Sequence, residues 1–295
     1  MKKCYLCPRN CGINRQSSVG YCGVGDKVRI ARASLHMWEE PCISGTNGSG
    51  TIFFSGCSLK CCFCQNYKIS AEGFGVDISI DKLCEIMLDL QSKGAHNINL
   101  VTPTHYADKI ASAIEKVKDR LCIPIIYNCS GYENISTIDT LDGLVDIYMP
   151  DLKYFSSELS YKYSKTKDYF TVASRAILHM YKQVGELCFD KGARLLRGVL
   201  IRHMILPGAY KDSIALLDWL AKTFDTKKLG LSLMCQYTPQ YKSSDFHEIN
   251  RRLTTFEYEK VIEHACSLGF DACIQERSSA NECYIPDFDL SGINL

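Results

Sequence analysis

Almost no charge imbalance and no long apolar run mark this chain of 295 residues. Lys and Arg number 34 against 33 Asp and Glu, a formal charge of +1, so no strong field draws it to nucleic acid or to an anionic membrane. Nowhere does a stretch reach the ~18 apolar residues that a membrane-spanning helix needs. The opening Met-Lys-Lys-Cys-Tyr-Leu-Cys-Pro-Arg lacks the apolar centre of a secretory leader, and a soluble, cytoplasmic protein is expected. Cysteine is what the chain has in excess. Its 17 cysteines are odd in number and clustered, which argues against a disulfide scaffold and for metal ligation in a reducing compartment. Exposed thiol clusters oxidise readily, so an anaerobic host is expected. With 46% apolar residues the chain can bury a sizeable core, as one large α/β domain or two small ones.

The most informative cluster follows a short apolar strand. In Gly50-Thr-Ile-Phe-Phe-Ser-Gly-Cys57-Ser-Leu-Lys-Cys61-Cys62-Phe63-Cys64-Gln-Asn the thiols of Cys57, Cys61 and Cys64 are spaced C-x3-C-x2-C. Iron-sulfur clusters are held by cysteine thiolates, normally four. Three ligands leave one iron open to a substrate or cofactor, as a catalytic zinc keeps one position open. A zinc site or buried free thiols are the competing readings. In this spacing, after a first strand, the chain resembles the radical S-adenosylmethionine (SAM) superfamily. That resemblance implies a [4Fe-4S] cluster on Cys57, Cys61 and Cys64, with SAM as its partner.

A second group opens the chain: Cys4, Cys7, Cys11 and Cys22, with Gly12, Gly20 and Gly23 allowing tight turns. Four thiolates within nineteen positions can close a complete shell around one centre, which suits structure or electron transfer; thiolate chemistry does not separate zinc from an iron-sulfur cluster. The spacing follows neither ferredoxin pattern. Between the two groups, Ser44–Gly50 is a loop of Gly, Ser and Asn that lacks the Lys-Ser/Thr end of a phosphate loop.

From Thr51 onward strand and helix alternate. Apolar runs at 97–101, 123–127, 144–149, 198–205 and 229–234 predict strands. Helical periodicity is predicted over 81–93 with Ser79 as cap, 106–119, 170–189, 213–222 and 255–268. Repeated βα units build a parallel sheet that curls, and six of them make a partial barrel. The expected fold is α/β: a partial (β/α)6 parallel barrel (residues 46–250), preceded by a small Cys-rich metal-binding segment (1–45) and followed by a helix and tail (251–295). Ligands in such sheets gather at the carboxyl ends of the strands. Those ends carry Thr102-Pro-Thr104-His105, Asn128-Cys-Ser130-Gly131, Asp151-Leu-Lys153, Arg202-His203 and Gln236-Tyr-Thr-Pro. Arg202 and His203 alternate along one strand, so at most one of them faces inward.

The segment from Gly50 to about Gln240 is similar to the activating enzymes of glycyl-radical enzymes, on Phe63-Cys64-Gln65-Asn66, Tyr127-Asn128-Cys129-Ser130-Gly131, Asp151-Leu152-Lys153 and Ile201-Arg202-His203-Met-Ile-Leu-Pro-Gly208. By that resemblance Asn128 and Ser130 face the SAM ribose, Asp151 and Lys153 its polar groups and Arg202 its carboxylate, with His203 beside them. The family's Gly-Gly-Glu segment, which takes the SAM amino group, is replaced here by Thr102-Pro-Thr104-His-Tyr; Thr102, Thr104 or a nearby carbonyl is left for that role. The class implies reductive cleavage of SAM to a 5′-deoxyadenosyl radical that takes a hydrogen atom from substrate. No general base is assigned, since cluster and SAM perform the bond chemistry. An electron donor such as flavodoxin or ferredoxin is the implied partner. The substrate is a glycyl-radical enzyme or another protein or peptide; the alternatives are a small molecule, or an electron-transfer protein without SAM chemistry. The final stretch, Ser278–Leu295, has too little periodicity to assign and could line an open barrel.

Overall fold

A computed structural model describes residues 3–271, 273–274 and 286–293. Strand β1 (Val28–His36) leads through the helical turn α1 (Pro41–Ser44) into β2 (Ser49–Phe54), and the cysteine loop then reaches α2 (Tyr67–Ser70) and β3 (Val76–Ile78). The alternation follows: α3 (Ile80–Ser92), β4 (Ile98–Val101), α4 (Ala107–Val117), β5 (Ile125–Cys129), α5 (Ile135–Asp139), β6 (Ile147–Pro150), α6 (Ser157–Ser164) and α7 (Tyr169–Val184). The short β7 (Cys188–Phe189), β8 (Leu195–Met204), α8 (Tyr210–Thr223), β9 (Gly230–Met234), α9 (Thr255–Ser267) and β10 (Cys273–Ile274) complete it. The sheet order is β10-β9-β8-β6-β5-β4-β2-β1-β3, with β7 on β8. Every pairing from β2 to β10 along this order is parallel, and β1 is antiparallel to both neighbours. The expected partial barrel of parallel strands is therefore present, as an open sheet. Because β1 pairs with β2, the N-terminal segment shares the sheet of the core.

Two layers of apolar burial hold it. Outward residues such as Leu100, Tyr127, Tyr148 and Ile201 pack under the helix stripes Leu83, Ile86, Met87 and Leu90 of α3, Ile110 and Ile114 of α4, and Ile177 and Met180 of α7. Those stripes are the ones the periodicity predicts. Helix α3 begins where expected: the Ser79 hydroxyl accepts the Lys82 amide at 3.0 Å. Inside the barrel, Ile43 of α1 is fully buried against Ile126, Ile147, Met149, Leu195 and Leu200. The turn is pinned by Asn97, whose Nδ2 donates to the Ile43 carbonyl at 2.8 Å while its Oδ1 accepts the Ser49 hydroxyl at 2.6 Å. Residues 41–44 thus form an apolar floor.

The structure corrects three boundaries. The helix expected over 170–189 stops at Val184, because Gly185 takes φ 75° and its amide closes on Tyr181; Phe189 belongs to β7. Part of the expected Ser44–Gly50 loop is ordered, with Ser44 ending α1 and Ser49 and Gly50 opening β2. Of the unassigned tail, 278–285 lie outside the described residues. Residues 286–293 return to the edge of β1, where Leu290 donates to Ala31 at 3.0 Å, Ala33 donates to Ser291 at 2.9 Å and Phe288 meets the Phe53 ring at 5.5 Å.

If Ile43 is the floor, Ile43→Ala should cost about 2–5 kcal/mol of stability, read as a lower urea midpoint. A loss below about 1 kcal/mol would show that the floor collapses without it.

Candidate functional site

The cysteine loop is fastened from several sides. Gly56 turns it at φ 90°, where a Cβ would stand 2.8 Å from the Cys22 carbonyl. That carbonyl accepts the Cys57 amide at 3.2 Å, and Cys64 donates its amide to Cys61 at 3.1 Å. Phe63 anchors the far end edge-on to Tyr154, Tyr163 and Tyr237, with centroids 5.9–6.5 Å away. The Cys61 sulfur accepts the Ser164 hydroxyl at 3.0 Å and that of Cys64 meets Ser70 at 3.2 Å. Burial pushes the Cys57 thiol up and the Cys64 thiol to about 12, and the neighbouring Cys61 adds to both. Three soft sulfurs in a desolvated pocket are a donor set that a metal must compensate, which suits iron and sulfide. Among the described residues no three His, Cys, Asp or Glu side chains converge as ligands of one ion. A cluster asks for less convergence than a lone zinc, because each thiolate holds a different iron.

Below the loop the strand ends form one cavity. It is lined by Cys57, Cys61 and Cys64 and by Thr102, Asn128, Ser130, Asp151, Lys153 and Arg202. Asp151 is the hub: Lys153 reaches its Oδ2 at 2.6 Å and Arg202 Nε its Oδ1 at 3.1 Å. Burial opposes the Asp151 charge, yet Lys153 and Arg202 hold its carboxyl below the usual range. Burial opposes Lys153 too, and Asp151 with the Cys61 sulfur more than offsets it. Arg202 spends its other nitrogens on Asn128 Oδ1 at 2.8 Å and Glu39 Oε2 at 3.2 Å. Its donors are committed, whereas the Lys153 ammonium, a three-donor group, makes one side-chain bond. Gly131 permits this closeness: at φ 74°, a Cβ there would lie 2.5 Å from the Asp151 carbonyl.

Two expected residues lie off the cavity. Thr104 is buried in the helical turn before α4 and gives its hydroxyl to Glu133 at 2.7 Å. His203 faces outward, as strand alternation demands once Arg202 points in; its Nδ1 meets the Leu152 carbonyl at 2.6 Å and its Nε2 the Ser213 hydroxyl at 2.8 Å. Thr102 does line the cavity, and does so at φ 61°. A β-branched residue there is strained, in the place where the resembled family carries glycine. Conversely, His36, Trp38, Glu39 and Glu40 line the cavity unannounced. A Trp-Glu-Glu-Pro turn reads as solvent-facing, and only the sheet edge folds it inward.

The N-terminal thiols sit against the same loop. Arg9 donates to the carbonyls of Ser58, Ser164 and Lys165 at 2.8–2.9 Å, and its guanidinium lies 4.0 Å from the centroid of the Tyr21 ring. Arg15 donates to the His105 and Gly25 carbonyls. A Cβ on Gly20 would touch both the Cys11 and Cys22 sulfurs, at 3.3 and 3.5 Å. Burial raises the thiols of Cys4 and Cys7, the latter to about 12.

The family model of the Radical SAM superfamily matches residues 51–220. An uncharacterized protein of Methanocaldococcus jannaschii is 30% identical over 282 residues, 92% of this chain and 76% of that protein. Among solved structures, Streptococcus suis SuiB bound to precursor peptide SuiA matches with TM-score 0.53 at 14% identity, over 75% of this chain and 46% of that one. The chain thus spans about half the length of SuiB. A radical SAM methyltransferase from Sphaerobacter thermophilus matches with TM-score 0.52 at 14% identity, over 77% of this chain and 66% of that one. Both likenesses are likenesses of fold. 

Burial holds His203 neutral, its pKa lowered from near 6.5 to about 4. A depressed value means the unfolded chain takes up the proton first, so the stability from this residue is complete above pH 6.5 and is lost as pH falls toward 4. The stability difference between wild type and His203→Gln should accordingly shrink over that window, measured by urea unfolding at pH 7 and 4.5. A constant difference would mean that His203 does not titrate so.

Proposed function

The chain belongs to the radical SAM superfamily, and from that premise we propose that it carries a [4Fe-4S] cluster on Cys57, Cys61 and Cys64 and uses SAM to modify a protein or peptide. The carrying observation is that these three thiols and six strand-end polar residues line one cavity at the carboxyl ends of parallel strands. Held by Cys57, Cys61 and Cys64 and by the strand-end residues, cluster and SAM would supply one-electron chemistry directed at a hydrogen atom of the substrate. The chain's own residues bind and orient. Lys153, beside Cys61 and with donors to spare, is the group for the SAM carboxylate; Arg202 instead fixes Asp151 and Asn128. Ser130 has a buried hydroxyl without a partner, fitted to a ribose hydroxyl. Thr102, at the mouth, is left for the amino group.

A protein or peptide substrate is favoured by the open sheet and by the exposed Leu35, Met37 and Trp38 at its edge; a glycyl-radical enzyme is one such protein. We assign Cys4, Cys7, Cys11 and Cys22 to a second thiolate-held centre, zinc or iron-sulfur, abutting the first through the hydrogen bond that the Cys57 amide donates to the Cys22 carbonyl. An electron donor such as flavodoxin or ferredoxin fits the one-electron chemistry. Among the described residues no helix is long and apolar enough to cross a membrane.

The test is anaerobic reconstitution with iron and sulfide, reduction, and mass-spectrometric assay of 5′-deoxyadenosine from added SAM. Wild type should form it, and Cys61→Ala should lose at least a hundredfold. Cys4→Ala should retain the cavity's cluster spectrum while losing the metal of the second centre by elemental analysis. No deoxyadenosine from protein with its cluster present would leave electron transfer as the better account.

A further inference from the structure

One wall of the cavity forms an acidic recess, lined by Glu39 and Glu40. Asn99 backs it, its Nδ2 donating to Glu39 Oε1 at 3.0 Å.

The recess is rich in acceptors and short of donors. Glu40 is 4% exposed and lines the cavity, yet its Oε2 is buried with no hydrogen-bond partner. Asn99 is fully buried and its Oδ1 is likewise unpartnered; so is the hydroxyl of Ser232, which sits opposite Arg202 in the β8–β9 register. Leaving such atoms dry and unpaired is costly. Charge points the same way. Arg202 and Lys153 supply two positive charges to the three carboxyl groups of Glu39, Glu40 and Asp151. Burial, with Glu40 adding to it, raises Glu39 to about 7 although Arg202 pulls it down. Trp38, 61% exposed, lines the same wall.

We infer that this recess, formed by Glu39 and Glu40 with Trp38 at its rim, binds a single cationic group of the substrate, an ammonium or guanidinium. The inference rests on the proposed function for what the substrate is, and deepens it by naming the group the substrate must present. An ammonium brings three donors and one charge, which supplies the buried Glu40 oxygen with the partner it lacks. Glu39 remains shared with Arg202, so Glu40 carries the larger part of the recognition.

The experiment titrates the full chain with n-butylammonium and n-butylguanidinium, with n-butanol and butyrate as neutral and anionic controls. Emission of Trp38 is followed in a Trp219→Phe background, these being the two tryptophans of the chain. Saturable binding of the cations alone is expected, weakened at least tenfold by Glu40→Gln and restored to within threefold by Glu40→Asp. Equal binding of butanol, or no weakening in Glu40→Gln, would overturn the inference. A second arm uses the reconstituted protein with saturating SAM. Undiminished cation binding supports a substrate group, whereas displacement by SAM would assign the recess to the SAM amino group and overturn the substrate reading. Deoxyadenosine assayed alongside keeps the two readings apart: its absence in wild type defeats the radical chemistry, while cation binding is judged by the titration alone.

Discussion

A buried guanidinium organises the interior. Arg202 lies on an inward position of β8 and is bonded to Asp151 of the neighbouring strand end, to Asn128 one strand further and to Glu39 of the N-terminal turn. Removing any one partner would leave charge in a poorly solvated space, where an uncompensated ion costs far more than its pairing returns. The three elements are therefore held in one arrangement. Lys153, tied to the same aspartate, is thereby aimed at the cysteine loop.

The N-terminal segment gains its place from this constraint. Residues 28–36 add an antiparallel strand to the edge of a parallel sheet, and the chain then enters the barrel from below, with Glu39 on Arg202 and Ile43 on the floor. The same segment carries the Cys4 to Cys22 group over the top, where the Cys22 carbonyl holds the Cys57 amide. One piece of chain thus supports the thiol loop from above and closes the cavity from below. In a six-strand barrel, which leaves a gap that an eight-strand barrel does not, some such filling is required.

Burial is unevenly compensated across the cavity, and the unevenness separates its parts. At the mouth, Asp151, Lys153 and Arg202 satisfy one another, which makes a rigid polar rim. On the acidic wall Glu40 holds an oxygen with no partner, as Asn99 and Ser232 do behind the lining. His105 and His203, which the strand ends might have offered as proton carriers, are instead spent on carbonyls outside the cavity, on Ser55 and Leu152, and burial lowers both to about 4. The bond chemistry is thereby left to the groups the cavity binds.

Much of this architecture was legible in the chain. Apolar runs located all six principal parallel strands, most of which are buried on both faces. A period of 3.6 located α3, α4, α7, α8 and α9, which bury one face; the short α5 and α6 carried no such signal. The C-x3-C-x2-C spacing named the chemistry, since thiolates on one short loop are close in space whatever surrounds them. Local rules also placed the Ser79 cap and allowed only one of Arg202 and His203 to face inward. Tertiary structure decided the rest. Which strand-end residue reaches the cavity depends on packing that no local pattern carries, and so Thr104 turned to Glu133. Glu39 and Glu40 look like a solvated turn in sequence; they became interior residues because the sheet edge and Ile43 draw that turn under Arg202. Spacing determines which groups share a loop, and only the closing of the sheet determines which loops share a site.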